Sequence, residues 1–143
     1  MRSSRRRPVA RFARLGLLAV LAVTAAGCDV GHSIVANNQT DQLLYARLTG
    51  TVRTEEASGQ AQPLEYVVLV PADARTGLAK ESFAGSEQIS KVEFLGPDCG
   101  PVASFPDEYK GTLFVITEGP RVEQRNEFPE DEATAQRTDA CTP

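Results

Sequence analysis

From residue 33 onward the chain reads as short apolar runs separated by clusters of turn-forming residues, and no amphipathic stretch reaches three helical turns. Ser33–Ala36 (SIVA) leads into Asn37–Asp41, a polar turn whose Asn and Asp side chains can bond their own backbone. Gln42 to Val52 alternates, with Leu44, Ala46 and Leu48 on one face and Tyr45 and Arg47 on the other, the period of a half-buried strand. Leu64–Val70 is apolar on both faces, as a central strand is, and Pro71, lacking an N–H, stops its ladder. Gln88–Leu95 sets Val92 and Phe94 against Lys91 and Glu93, and Val102–Phe105 is a shorter run. Thr112–Thr117 (TLFVIT) follows a turn at Tyr109-Lys110-Gly111, and Glu118-Gly119-Pro120 turns the chain into Arg121–Arg125.

Seven short strands with turn signals between them predict an all-β domain, a single antiparallel β-sandwich. An immunoglobulin-like pair of sheets is the commonest solution at this size, with a small β-barrel as the alternative. The Cys…Trp…Cys spacing of true immunoglobulin domains is absent, since the chain has no Trp. Residues 72–87 (ADARTGLAKESFAGSE) fit one helical turn or a long loop, and Thr54–Pro63 (TEEASGQAQP) reads as an exposed hairpin loop. Asn126–Pro143 is acid-rich with a single aromatic residue, too little apolar surface to order itself, and is predicted to be a mobile acidic tail, tethered back to the body if Cys141 pairs with Cys99. The β-sandwich domain is thus placed at 33–125 and the tail at 126–143.

The N-terminal segment follows a different logic. Residues 1–27 hold six arginines and no acid, and Leu15 to Ala26 (LGLLAVLAVTAA) carries no charge. Twelve helical residues span about 18 Å, well short of a hydrocarbon core of about 30 Å, so the length suits a signal-peptide apolar region and not a membrane span. The run ends in Ala25-Ala26-Gly27 directly before Cys28. Here the chain resembles bacterial lipoproteins, whose signal ends in Leu, Ala or Val, a small residue, Gly or Ala, and then Cys; Ala25 stands where Leu is commonest. The resemblance covers about 28 residues. It implies cleavage between Gly27 and Cys28, a diacylglyceryl thioether on Cys28, and a location on the extracytoplasmic face of a bacterial cell membrane. Two acyl chains anchor stably where one holds only marginally. Residues 1–27 are then the signal peptide and 28–32 a linker. Ser4-Arg5-Arg6-Arg7 only faintly resembles a twin-arginine export signal, and Sec export is the default.

Three cysteines occur, Cys28, Cys99 and Cys141. Lipidation of the first leaves an even pair, as an oxidising compartment favours, and predicts a Cys99–Cys141 disulfide. Closing that loop contributes about 4 kcal/mol in the chain-entropy model. No CxxC spacing is present.

Composition narrows the chemistry. The 143 residues are 41% hydrophobic, which suits one modest domain and not a polytopic membrane protein. Beyond residue 27, nine basic residues face all 19 acids, a net charge of −10 that disfavours nucleic acid as a partner. His32 is the sole histidine and reads as a linker residue, and the mature chain has no Met, so neither a blue-copper set nor a zinc site is supplied with ligands. No GxSxG elbow, P-loop or GxGxxG is present. Two acid clusters, Asp107-Glu108 and Glu130-Asp131-Glu132, offer paired carboxylates for glycoside hydrolysis, but solvated charge explains them more simply. Weak calcium binding at Asp98, Asp107 or the Asn37–Asp41 turn is a further candidate, without EF-hand spacing. Asn38-Gln39-Thr40 is a glycosylation sequon of little weight in a bacterium. No catalytic residue, metal site or cofactor is predicted. The expected function is a lipid-anchored, non-enzymatic interaction or scaffold module whose partner is an envelope protein or glycan. A small envelope hydrolase or carbohydrate-active domain is the alternative, and an inhibitor of some envelope enzyme would share the first reading's fold.

Overall fold

The computed structural model describes residues 32–53, 59–81, 87–106 and 112–143. Among them the chain forms nine strands and no helix: β1 (His32–Asn38), β2 (Leu44–Arg53), β3 (Ala61–Val70), β4 (Ala74–Glu81), β5 (Glu87–Leu95), β6 (Pro101–Phe105), β7 (Thr112–Thr117), β8 (Arg121–Arg125) and β9 (Arg137–Thr138). The period-two pattern of the sequence sets which side chains turn inward. Leu44, Ala46 and Leu48 of β2 are fully buried, while Tyr45 and Arg47 between them are half-buried on the opposite face.

The strands make two packed sheets, one in the order β4-β1-β7-β8 and the other β6-β5-β2-β3-β9. This is a β-sandwich, with two layers in place of a closed barrel. Ile34, Ala36, Phe114 and Ile116 of the first sheet meet Leu48, Val68, Val92 and Phe94 of the second. Phe94, Phe105 and Phe114 interlock, with Phe114 5.1 Å from Phe94 and 4.9 Å from Phe105 between ring centroids, the tilted and edge-on packing that aromatic quadrupoles favour.

Several expectations need correction. The sandwich is not antiparallel throughout, because β1 and β7 run parallel from Ile34 opposite Thr112 to Asn38 opposite Ile116. No hairpin links these two strands, so connectivity does not force opposite directions. Residues 72–87 hold neither a helical turn nor a plain loop over 74–81, since β4 pairs there along all of β1. The proposed hairpin loop at 54–63 is shorter than expected, because β3 starts at Ala61 and pairs Pro63 with Thr51.

The largest difference lies at the C-terminus. Residues 126–143 do not stand off as a mobile tail but wrap the sandwich as a belt. From Arg125 on the outer strand β8 the chain reaches Asp131, which meets Ser33 of β1 and Lys80 of β4 on the outward face of the first sheet. It then runs along the β4 edge, where Gly77 donates to the Ala133 carbonyl at 3.0 Å and Ala135 donates to Gly77 at 2.8 Å. Ala135 drops into the core between the sheets. Next β9 pairs with β3, Val67 opposite Thr138, and the chain crosses the outer face of the second sheet to Cys99.

Connectivity gives the sandwich two distinct ends. Turns 39–43, 71–73, 96–100 and 118–120 lie together at one end, because Asn38 pairs with Ala74 and Ile116 while Leu44 pairs with Val70. β1 starts at the other end, opposite Glu81, and the β2–β3, β4–β5 and β6–β7 connections spring from that same end.

Candidate functional site

Gly27 and Cys28 lie outside the described residues, as do Asp107 and Glu108. His32 is the first residue of β1. Cys99 and Cys141 are joined, with Cα atoms 5.2 Å apart, and the bond ties the belt to the turn between β5 and β6. Both half-cystines adopt left-handed backbone, at φ 64° and 59°.

Two acids of the second cluster, Asp131 and Glu132, go to separate partners and are not gathered into a site. Asp131 accepts from Lys80 Nζ at 2.6 Å and from the Ser33 hydroxyl, and Glu132 lies 3.0 Å from Arg75 Nε. The hydrogen bond from Lys80, then that from Ser33, holds the Asp131 carboxyl below its ordinary range. A general acid requires the reverse shift, toward the protonated form. These acids fasten the belt to the first sheet.

The Asn37–Asp41 turn is also committed internally. Asn38, 1% exposed, donates from Nδ2 to the carbonyls of Gln42 at 2.9 Å, Pro71 at 3.0 Å and Val70 at 3.3 Å. Its Oδ1 accepts from Thr40 N at 3.1 Å and Thr40 Oγ1 at 2.8 Å. One side chain therefore joins the β1–β2 turn to the end of β3. With Oδ1 taken up by protein donors it is not offered to calcium, and with Nδ2 buried against three carbonyls the folded sequon has no room for a glycan. Asp98 serves its own turn, accepting from Gly100 N at 3.1 Å. Among the described residues no three potential metal ligands converge.

Arg47, absent from the sequence-based candidates, sits where the belt crosses the second sheet. Its Nη2 donates to the Cys141 carbonyl at 2.7 Å and its Nη1 approaches Glu93 at 3.5 Å, while Nε is buried without a partner. Glu93 is held below the usual carboxylate range chiefly by Lys91, 2.9 Å away, with Arg47 assisting. At the end formed by the four short turns, each turn exposes one carboxylate, namely Asp41, Asp73, Asp98 and Glu118, and no Lys or Arg lies within any of them. The sequence displays these acids singly; only the topology brings their turns to one end.

No family model matches the chain, and neither does any curated protein. A solved structure described as "Trapped Toxin" superposes with a TM-score of 0.43 at 14% identity, over 66% of this chain and 23% of that one. A likeness of that size carries no functional inference.

Proposed function

We propose that the protein is a lipid-anchored module of the bacterial cell envelope, held on the extracytoplasmic face of the membrane through Cys28 and acting by binding, not catalysis. The observation that carries this reading is where the chain enters the fold. β1 begins at His32, four residues after Cys28, at the end opposite the four short turns. Four extended residues reach at most about 14 Å. An acylated Cys28 would therefore keep that end near the bilayer and turn the acidic end toward a partner, an envelope protein or glycan. Loops presented on a rigid sandwich are a common place for recognition. The salt-bridged state of Asp131 and Glu132 favours binding over acid–base chemistry at that cluster.

The sandwich is read as immunoglobulin-like. Support comes from the pairing of β1 with β4 in one sheet and β2 with β5 in the other, which parallels the B–E and C–F pairs of that architecture.

Cys28→Ser in the full chain tests the anchor. The variant is expected to move from the membrane fraction to the soluble fraction. Retention in the membrane would overturn the proposal, as would native material whose N-terminus, at position 28 or upstream of it, carries no acyl group.

A further inference from the structure

Outward positions of an antiparallel sheet facing water are ordinarily polar. Where the belt crosses the second sheet one outward row is apolar and the next is mixed. Leu69, Tyr45 and Leu95 stand side by side in one outward row, through the Tyr45–Leu69 and Tyr45–Leu95 pairings. Val67, Arg47 and Glu93 occupy the next row. Val67 is 1% exposed and Leu95 3%, although both face away from the core between the sheets.

The attachments of the belt differ greatly in strength. Lys80 and Asp131 are each 61% exposed, and Arg137 and Glu87 are 58% and 32% exposed. Ion pairs so open to water hold weakly. The β9 ladder is two residues long, among the described residues Ala135 is the belt's one contribution to the buried core, and the remaining non-covalent holds are the Arg137 guanidinium 3.9 Å over the Tyr66 ring, the Arg75–Glu132 pair and the Arg47 bond to the Cys141 carbonyl. Against these stands a single covalent bond, Cys99–Cys141, which closes a sequence separation of 42. Cys99 is exposed in its turn and Cys141 half-buried.

The geometry points to a redox latch, in which the Cys99–Cys141 bond decides whether the belt covers the apolar outer face of the second sheet. A dithiol reductant supplies the electrons. Its thiolate attacks Cys99 Sγ, and Cys141 leaves as a thiolate that takes up a proton. The second thiol of the reductant then displaces Cys99, which also becomes a thiol, and the reductant closes its own disulfide. Two electrons pass to the protein in all. Once the bond is open, nothing covalent holds Cys141 over Arg47, and the row Leu69–Tyr45–Leu95 meets solvent.

Hydrogen exchange on the full chain, with and without dithiothreitol, tests the latch. Three amides report on the belt: Leu69, which donates to the Gln136 carbonyl, Gly77, which donates to Ala133, and Ala135, which donates to Gly77. Two report on the sandwich beneath: Gln39, which donates to Ile116, and Asp73, which donates to Thr40. Reduction is expected to speed exchange at the first three at least tenfold and leave the last two unchanged. Cys141→Ser is expected to reproduce the reduced pattern without dithiothreitol. Unchanged belt amides would overturn the proposal, because the weak contacts would then suffice. Faster exchange at all five would also overturn it, because the bond would be a staple of the whole fold.

Discussion

Asn38 offers the most direct test of how this sandwich is held at its turn-bearing end. Replacing it by Ala removes the donors facing the Gln42, Val70 and Pro71 carbonyls and the acceptor of the Thr40 amide. Two of those four bonds, to the Val70 carbonyl and from the Thr40 amide, are buried and the other two part-buried, and an orphaned buried polar group costs about 1–3 kcal/mol. Two such groups left without compensation put the loss near 3 kcal/mol, a large share of the roughly 5–15 kcal/mol typical of a domain. At about 4–8 °C per kcal/mol the melting temperature should fall by roughly 12–24 °C. Asn38→Asp separates hydrogen bonding from volume, since it keeps the shape but turns an acceptor toward three carbonyls. Burial and those carbonyls raise the folded pKa of the new carboxyl, so the folded state binds more protons than the unfolded one between the two pKa values. Its stability relative to the native chain must then decline as pH rises from about 4 through that raised pKa. Thermal melts followed by circular dichroism at pH 4 and pH 7 read both effects. A fall of under about 4 °C for Asn38→Ala, or an Asn38→Asp deficit no larger at pH 7 than at pH 4, would refute the account.

Two further outcomes follow from close contacts and charge. A Cβ on Gly50 would lie 1.9 Å from the Gln88 carbonyl oxygen, at the bulge where the β2–β5 register shifts, so Gly50→Ala should cost about 3 kcal/mol. An unchanged denaturation midpoint would show that the bulge accommodates a methyl group. Lowered folded pKa values at Asp131, through Lys80 and Ser33, and at Glu93, chiefly through Lys91, add stability above their unfolded values and lose it as pH falls through the folded ones. Lys80→Ala should therefore lower the melting temperature at pH 6 and much less at pH 2, whereas equal deficits at both would mean that the Asp131 pair does not contribute.

What the sequence reveals depends on how each strand is covered. β2 alternates because one face meets the core and the other is only half covered, and β3 is apolar on both sides at Val67–Val70, with Val68 and Val70 in the core and Val67 buried on the other face where β9 pairs alongside. β4 escapes a period-two test for two reasons. A register shift between Ile34 and Val35 puts Leu78 and Ala79 consecutively in the core, and Gly77, whose backbone the belt touches, has no side chain to mark its face. A Cβ there would come within 2.9 Å of the Glu132 carbonyl oxygen, so the glycine is a seat for the belt within the strand. The Cys99–Cys141 bond is legible only when Cys28 is set aside by its resemblance to a lipoprotein cysteine, because three cysteines have no even parity of their own. Asn38 is legible as a turn former but not as a buried hub, because the same residue types make turns on an open surface.

The belt shows why composition misleads for the last eighteen residues. The premise is sound: Asn126–Pro143 has too few apolar side chains to build a core. The expected tether through Cys141 is present, but the inference that the segment is otherwise unordered fails because ordering here does not rest on such side chains. Backbone groups of Ala133, Ala135 and Gln136 find partners on the edge strands β4 and β3, edges that would otherwise present unpaired amides to solvent. Arg47 supplies a charge-assisted hydrogen bond, and the disulfide removes much of the entropy of the free segment. The signal that could have exposed the belt lies elsewhere in the chain. Val35, Leu113 and Val115 face outward from the first sheet and Val67, Leu69 and Leu95 from the second, yet none of the six is exposed. Outward positions on a solvated sheet are commonly polar, so six sheltered apolar side chains there are the sequence's pointer to cover over both faces. Among the described residues, 126–141 run from one face to the other, with Asp131 bonded to Ser33 and Lys80 on the first sheet and the Cys141 carbonyl bonded to Arg47 on the second.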